Sequence, residues 1–170
     1  MKNHIRFSES EQALFLLDQR LLPDKEKWFV CRRVRDVVEA IQTLVIRGAP
    51  ALGVVAAYGC CLAAASQDHQ DPEWQKVVND KLNQLARARP TAVNLSYIVA
   101  RMRGYWKADA DIGLKDLCWM WHQLAKDVHL EDISANKAMG RIGEKLLADG
   151  QTVMTHCNAG ALATGGYGTA

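Results

Sequence analysis

The chain has 170 residues, 49% apolar and 24% charged, with 21 basic and 19 acidic side chains and a net charge of +2. That is enough apolar sequence to bury one domain's core, which excludes disordered and collagen-like chains, and too little positive charge for an electrostatic grip on nucleic acid. No continuously apolar run reaches the roughly 18 residues that span a membrane, and the opening MKNHIRFSES lacks a secretion signal's apolar stretch, so a cytoplasmic protein without membrane or nucleic-acid partners is expected.

Residues 13–32 break into short apolar runs, and Pro23-Asp24 between Leu-Leu and Trp-Phe-Val reads as the turn of a small antiparallel β-ribbon. Beyond it the period lengthens: Val34, Val37, Val38, Ile41, Leu44 and Val45 recur at three and four, the stripe of an amphipathic helix. Residues 50–66 carry no charge at all. A helix apolar on every side must be surrounded by protein, and Pro50 suits its first position, where the backbone N–H has no helical partner to lose. Asp71 as cap and Pro72 open a further helix with Trp74, Val78, Leu82 and Leu85 on one face, ending before Arg89-Pro90. From about Thr91, Leu95, Ile98, Met102 and Tyr105 mark another. Leu114, Leu117, Trp121, Leu124 and Val128 mark the next, and Ala135, Met139, Ile142 and Leu146 a last one, closed by Gly150.

Gln151 to Thr155 is β-prone and runs into HCNAGALATGGYGTA, where four of the 12 glycines fall. A strand entering a glycine-rich turn is how an open parallel α/β sheet begins, with its ligand crevice at the strand's C-terminal end. The fold expected is a mainly α N-terminal domain over 1–149, with a small antiparallel β-ribbon near 13–32. Residues 150–170 then supply the first strand of an incomplete Rossmann-like α/β domain. A parallel strand needs a crossover to a neighbour, so the sequence reads as the front part of a longer protein.

The five cysteines are odd in number and lack a C-x-x-C spacing, so neither a disulfide framework nor a zinc site is suggested. Cys60, Cys61 and Cys118 lie among apolar residues, where cysteine is a small hydrophobe. Cys157 differs: it follows the expected strand and precedes the glycine loop, at the sheet's ligand-binding edge. It reads either as a reactive thiol or as a buried structural one. His156 beside it would point to the opposite face of a strand.

Arg47-Gly48-Ala49-Pro50 stands at the N-terminus of the uncharged helix, where unpaired N–H groups and a partial positive charge favour an anion. Gly48 would let the anion approach, and Arg47 offers a forked donor suited to phosphate. Arg89-Pro90-Thr91 repeats the arrangement with a capping hydroxyl, and two such arginines could clamp one phosphate. Arg47 fits a solvated loop arginine equally, and Arg89-Pro90-Thr91 taken alone fits a helix cap beside a surface arginine better. Gly-Gly-Tyr-Gly at 165–168 has neither a phosphate-loop lysine nor G-x-G-x-x-G spacing. Trp119 and Trp121 read as core or interface. His4, His69, His122 and His129 show no ligand spacing, so no metal is assigned.

At LLDQRLLP (16–23), IRGAPALGVVAAYG (46–59), RPTAVNL (89–95) and THCNAGALATGGYGTA (155–170), the chain resembles the methylthioribose-1-phosphate isomerase family. That family is related to the regulatory subunits of the translation-initiation guanine-nucleotide exchange factor. The resemblance runs nearly end to end and keeps the family's motif order. It implies a helical N-terminal domain with a small sheet, followed by a Rossmann-like domain. Cys157 then matches the catalytic cysteine, and Arg47, Gly48, Ala49 and Arg89 match substrate-binding positions. The family's catalytic aspartate and a substrate-binding Asn-Lys pair belong to the second domain, outside these 170 residues. The implied partners are a sugar phosphate and, at full length, a second copy in a homodimer, with no metal or organic cofactor.

The implied reaction converts 5-methylthioribose 1-phosphate to 5-methylthioribulose 1-phosphate in methionine salvage, and the 170 residues alone are expected to be inactive. Where the family often has an aromatic pair after RPTAVNL, this chain has Ser96-Tyr97. That keeps 5-deoxyribose 1-phosphate open as the substrate. A non-catalytic sugar-phosphate-binding regulatory subunit is the alternative outside enzymes.

Overall fold

The computed structural model describes residues 4–109 and 111–170. Three short strands, β1 (Ile5–Ser8), β2 (Ala13–Leu17) and β3 (Trp28–Cys31), form an antiparallel meander. Ile5 pairs with Leu16, and Leu14 with Cys31, so these four side chains share the buried face. Arg6, on the other face, lies 4.0 Å above the Trp28 ring. The ribbon expected over 13–32 is β2 and β3; β1 is an addition, four residues that become a strand by pairing with β2.

Five helices follow: α1 (Val34–Gln42), α2 (Ala49–Ala65), α3 (Trp74–Ala86), α4 (Val93–Ala108) and α5 (Leu114–Glu144). The uncharged α2 is the axis of the domain. Every residue from Ala51 to Ala64 is buried, with all four other helices and β2 packed around it. Its small residues set the packing distance: a methyl group on Gly59 would stand 2.8 Å from Leu85 Cδ2 of α3. Trp106 of α4 stacks on Trp74 of α3 and meets Trp121 of α5 edge-on, which ties these three helices together. No helix of the described residues is long and apolar enough to cross a membrane.

The structure corrects the expected elements in four places. The helices expected over 114–128 and 135–146 are one helix of 31 residues, since the intervening HLEDIS contains no glycine or proline to break it. Its far-end stripe is bare: Met139 and Ile142 are exposed, as is Leu146 beyond the helix end. On α4 it is Trp106, not Tyr105, that turns inward. Neither expected cap sits at its helix start. α3 begins at Trp74, three residues past Asp71, whose carboxylate accepts the Glu73 backbone N–H instead, and α4 is preceded by Ala92 rather than Thr91.

The fourth correction bears on the site. Residues 151–155 are not a strand but exposed, unpaired chain. A strand exists through its neighbour's hydrogen bonds, and the described residues place none beside this segment. The chain after it turns back onto the helices, with a single 3-10 turn at Ala161–Ala163.

Candidate functional site

The site is assembled where three distant segments meet: Asp18–Arg20 after β2, the N-terminus of α2, and the glycine loop at 157–169. A tight turn after α1, with Val45 N–H donating to the Ala40 carbonyl, delivers the chain to Ile46 and Arg47. The Gln19 backbone N–H donates to the Val45 carbonyl at 2.9 Å, and its side-chain Nε2 donates to the Leu162 carbonyl at 2.8 Å. Gln19 therefore stitches the three segments together. Beside it, the Arg20 guanidinium grips the buried Asp18 carboxylate through two bonds of 2.8 and 2.6 Å. That pairing holds the Asp18 carboxyl below the usual carboxylate range.

Gly48 is required twice. It caps α2 at φ +107°, a region that side chains disfavour, and any Cβ there would run into the Ala163 backbone. What approaches Gly48 is therefore the glycine loop itself. Arg47 is exposed at the helix entrance, with no ion pair or hydrogen bond among the described residues.

Arg47 and Cys157 line one cleft of about 290 Å³, together with Gln19, Asn158, Gly160 and Ala163. Cys157 lies at a bend with φ +64°, its side chain exposed. The other cysteines contrast with it. Burial pushes the Cys31 and Cys60 thiols up to about 12 and Cys61 further in the same direction, which makes them inert hydrophobes. A cleft holding an unpaired guanidinium, loop backbone and an exposed thiol has the parts to bind a small anion and to exchange a proton with it. Its volume is near the lower end for small-molecule pockets, about 300 Å³.

The remaining candidates divide. Ala49 is exposed as the first residue of α2 but does not line the cleft. Arg89 is half-buried in the turn before α4 and lines neither this cleft nor the neighbouring groove of about 350 Å³ between α2, α4 and α5. Of the two arginines, the structure brings only Arg47 to the thiol. Gln19 was not foreseen, although it lies in a segment singled out for resemblance. Also unforeseen were His129, Asp132 and Asn136, which reach the glycine loop from α5. Their signal is periodicity: polar residues at i, i+3 and i+7 share one face of a helix.

Residues 45–165 match the family described as the Initiation factor 2 subunit family. The methylthioribose-1-phosphate isomerase of Oleidesulfovibrio alaskensis is 54% identical over 172 residues, which cover all of this chain and 48% of the relative. The enzyme of that name from Caldanaerobacter subterraneus subsp. tengcongensis is 43% identical over 93% of this chain and 46% of its own length. Among solved structures, 5-methylthioribose 1-phosphate isomerase from Pyrococcus horikoshii superposes with a TM-score of 0.90 at 31% identity, covering 99% of this chain and 47% of that one. Subunit delta of translation initiation factor eIF-2B from A. fulgidus gives 0.83 at 36%, covering 98% and 48%. The chain thus spans about half the length of the relatives it matches.

Proposed function

The chain belongs to the Initiation factor 2 subunit family, and from that premise we propose that it carries the phosphate grip and the reactive thiol of an aldose–ketose isomerase. The substrate is 5-methylthioribose 1-phosphate and the product 5-methylthioribulose 1-phosphate, a step of methionine salvage. Residues 1–149 form the helical domain of that enzyme, and the chain from 150 onward enters its second, Rossmann-like domain. Cys157 is the catalytic residue, and Arg47, Gly48, Ala49 and Arg89 belong to substrate binding. The observation that carries the reading is the single cleft shared by Arg47 and Cys157, far apart in sequence, in a chain 54% identical throughout to an isomerase.

The chemistry follows from the substrate. Phosphate on C1 locks the sugar as a cyclic, acetal-like phosphate ester that cannot open to a free aldehyde. Ring opening needs an acid still protonated near neutral pH, as a carboxyl group in an apolar pocket is. The second half of the family's fold supplies it as an aspartate. Hydrogen then moves from C2 to C1, with the Cys157 sulfur as the base and proton carrier. Arg47 holds the phosphate, so the carbons meet the sulfur in one orientation.

The test uses the protein completed with the second half that its relatives carry. Phosphorus NMR should show conversion of aldose to ketose phosphate. Absence of conversion, or equal loss of binding and turnover in Cys157→Ser, overturns the reading. A second reading rests on the 36% identity with the initiation-factor subunit, above the 31% with the isomerase structure. In it the cleft binds a sugar phosphate without transforming it, and binding without conversion in the completed protein would favour it.

A further inference from the structure

In the run Gly165-Gly166-Tyr167-Gly168, the first and last glycines face protein. A methyl group on Gly165 would stand 2.8 Å from His129 Cδ2 and 3.0 Å from Asp132 Oδ2, and one on Gly168 would meet the Ala159 carbonyl oxygen at 2.5 Å. Both backbone groups of Gly165 are taken by one face of α5. Its N–H donates to Asp132 Oδ2 at 2.6 Å, and its carbonyl accepts from His129 Nε2 at 2.6 Å. One turn further on, Asn136 Nδ2 donates to the Tyr167 carbonyl at 3.0 Å. Because a carbonyl can only accept, Nε2 of His129 carries a proton, and its Nδ1 lies 3.3 Å from the Tyr58 hydroxyl. Tyr58 is buried on α2 and stacked on Phe7 of β1, so the His129 ring is held from inside the core.

We infer that His129 and Asp132 are positioning residues for the glycine loop, holding Gly165 as an adjacent strand would and thereby fixing where Cys157 and Ala163 stand against Arg47 and Gly48. The loop has few apolar groups of its own to bury. Within it, the Thr169 N–H closes onto the Ala159 carbonyl at 2.8 Å, so an anchor at 165 constrains the stretch leading back to the cleft. The order of parts is Tyr58, His129, Gly165, the loop, then the thiol. What the clasp serves rests on the isomerase reading; that it exists and governs the thiol does not.

The experiment therefore reads no turnover and uses the 170-residue chain. Nitrogen NMR of the unmodified protein should report the Nε2–H tautomer of His129 at neutral pH and strong exchange protection at the Gly165 amide. An Nδ1–H tautomer or an unprotected amide overturns the inference without any variant. In His129→Leu, Gly165 exchange should quicken at least tenfold, and alkylation of Cys157, followed on its own peptide, should change severalfold. Amides of β1 and β2 keep their rates. His129→Gln, which retains a side-chain N–H, should recover most of both, and Asp132→Ala should repeat the loss should His129→Leu not fold. Unchanged Cys157 alkylation in either loss variant overturns the positioning role. These outcomes stand whether or not the completed protein isomerises a sugar, so the two readings fail separately.

Discussion

Helix α2 and the glycine loop at 157–169 touch at Gly48 and Ala163, yet they are held in opposite ways. The helix has no charge and hardly a polar side chain, and burial on every side fixes it. Such burial is non-directional and strong, about 25 cal/mol per Å² of apolar surface. The loop is fixed by individual hydrogen bonds, from Gln19, His129, Asp132 and Asn136 to its own backbone. Each such bond adds only about 1 kcal/mol net, but each has a direction. Burial makes the domain stable; directed bonds place the thiol. Changes to the helix should therefore cost stability first, and changes around the loop should cost geometry first.

The largest effect expected is at Cys157. In the completed protein Cys157→Ser should lower turnover by about 10²–10⁴-fold, the usual contribution of a positioned acid–base group. Affinity for a phosphate ligand and the unfolding midpoint should stay near wild type, since the side chain is exposed and packs against little. Leu62→Ala on α2 is the mirror image. A fully buried leucine truncated to alanine costs about 2–5 kcal/mol in urea unfolding. The Gly165 amide should then lose protection only as far as global stability falls. A Leu62→Ala protein with normal stability, or a Cys157→Ser protein that unfolds easily, would erase the contrast between the two regions.

The contrast also explains what the sequence made legible. Apolar period and the absence of charge identified α1, α2 and α3 and most of the buried stripe of α4, because burial is what periodicity records. Arg47 and Cys157 were found as candidates, from a helix entrance and a glycine turn. The loop's attachments were not visible, since a hydrogen bond from His129 to a backbone 36 residues away leaves no periodic trace in the loop. The strand expected at 151–155 failed for a related reason: β-propensity records what a sheet accepts, whereas pairing depends on a neighbour. Two apolar stripes suggest two helices, whereas one long helix buries its first stripe as far as Val128 and leaves the second exposed.

His4 lies where the two regions meet, at the entrance to β1 beneath Thr164. Burial lowers its pKa to about 4, the nearby His129 adds to the effect and the Thr164 backbone opposes it; its Nε2 has no hydrogen-bond partner. A histidine whose folded pKa lies below 6.5 binds fewer protons folded than unfolded, so its contribution is complete above pH 6.5 and drains away as pH falls toward 4. The loss should reach about 3 kcal/mol in urea unfolding, from 1.36 kcal/mol for each pH unit between the two values. His122, also lowered by burial, acts in the same sense, while the depressed carboxylates of Asp18 and Glu131 respond only in more acid solution. His4→Leu isolates the term: its stability between pH 7 and 5 should be flatter than wild type, and an identical slope would remove His4 as the cause.

The smallest effect tests whether directed bonds carry weight on the helical side as well. Arg101 of α4 and Glu131 of α5 form a two-bond ion pair at 2.7 and 3.0 Å across the rim of the groove beside α2. Glu131 is more than half exposed and Arg101 about a quarter, so water and salt screen the pair. Both helices are already pinned by apolar packing against α2. A double-mutant cycle of Arg101→Ala and Glu131→Gln should therefore give a coupling below about 1 kcal/mol, shrinking with added salt. A coupling of 2 kcal/mol or more, insensitive to salt, would mean that α4 is positioned on α5 as the loop is, by direction rather than by burial. The boundary between the two modes would then run through the helical bundle instead of along its contact with the loop.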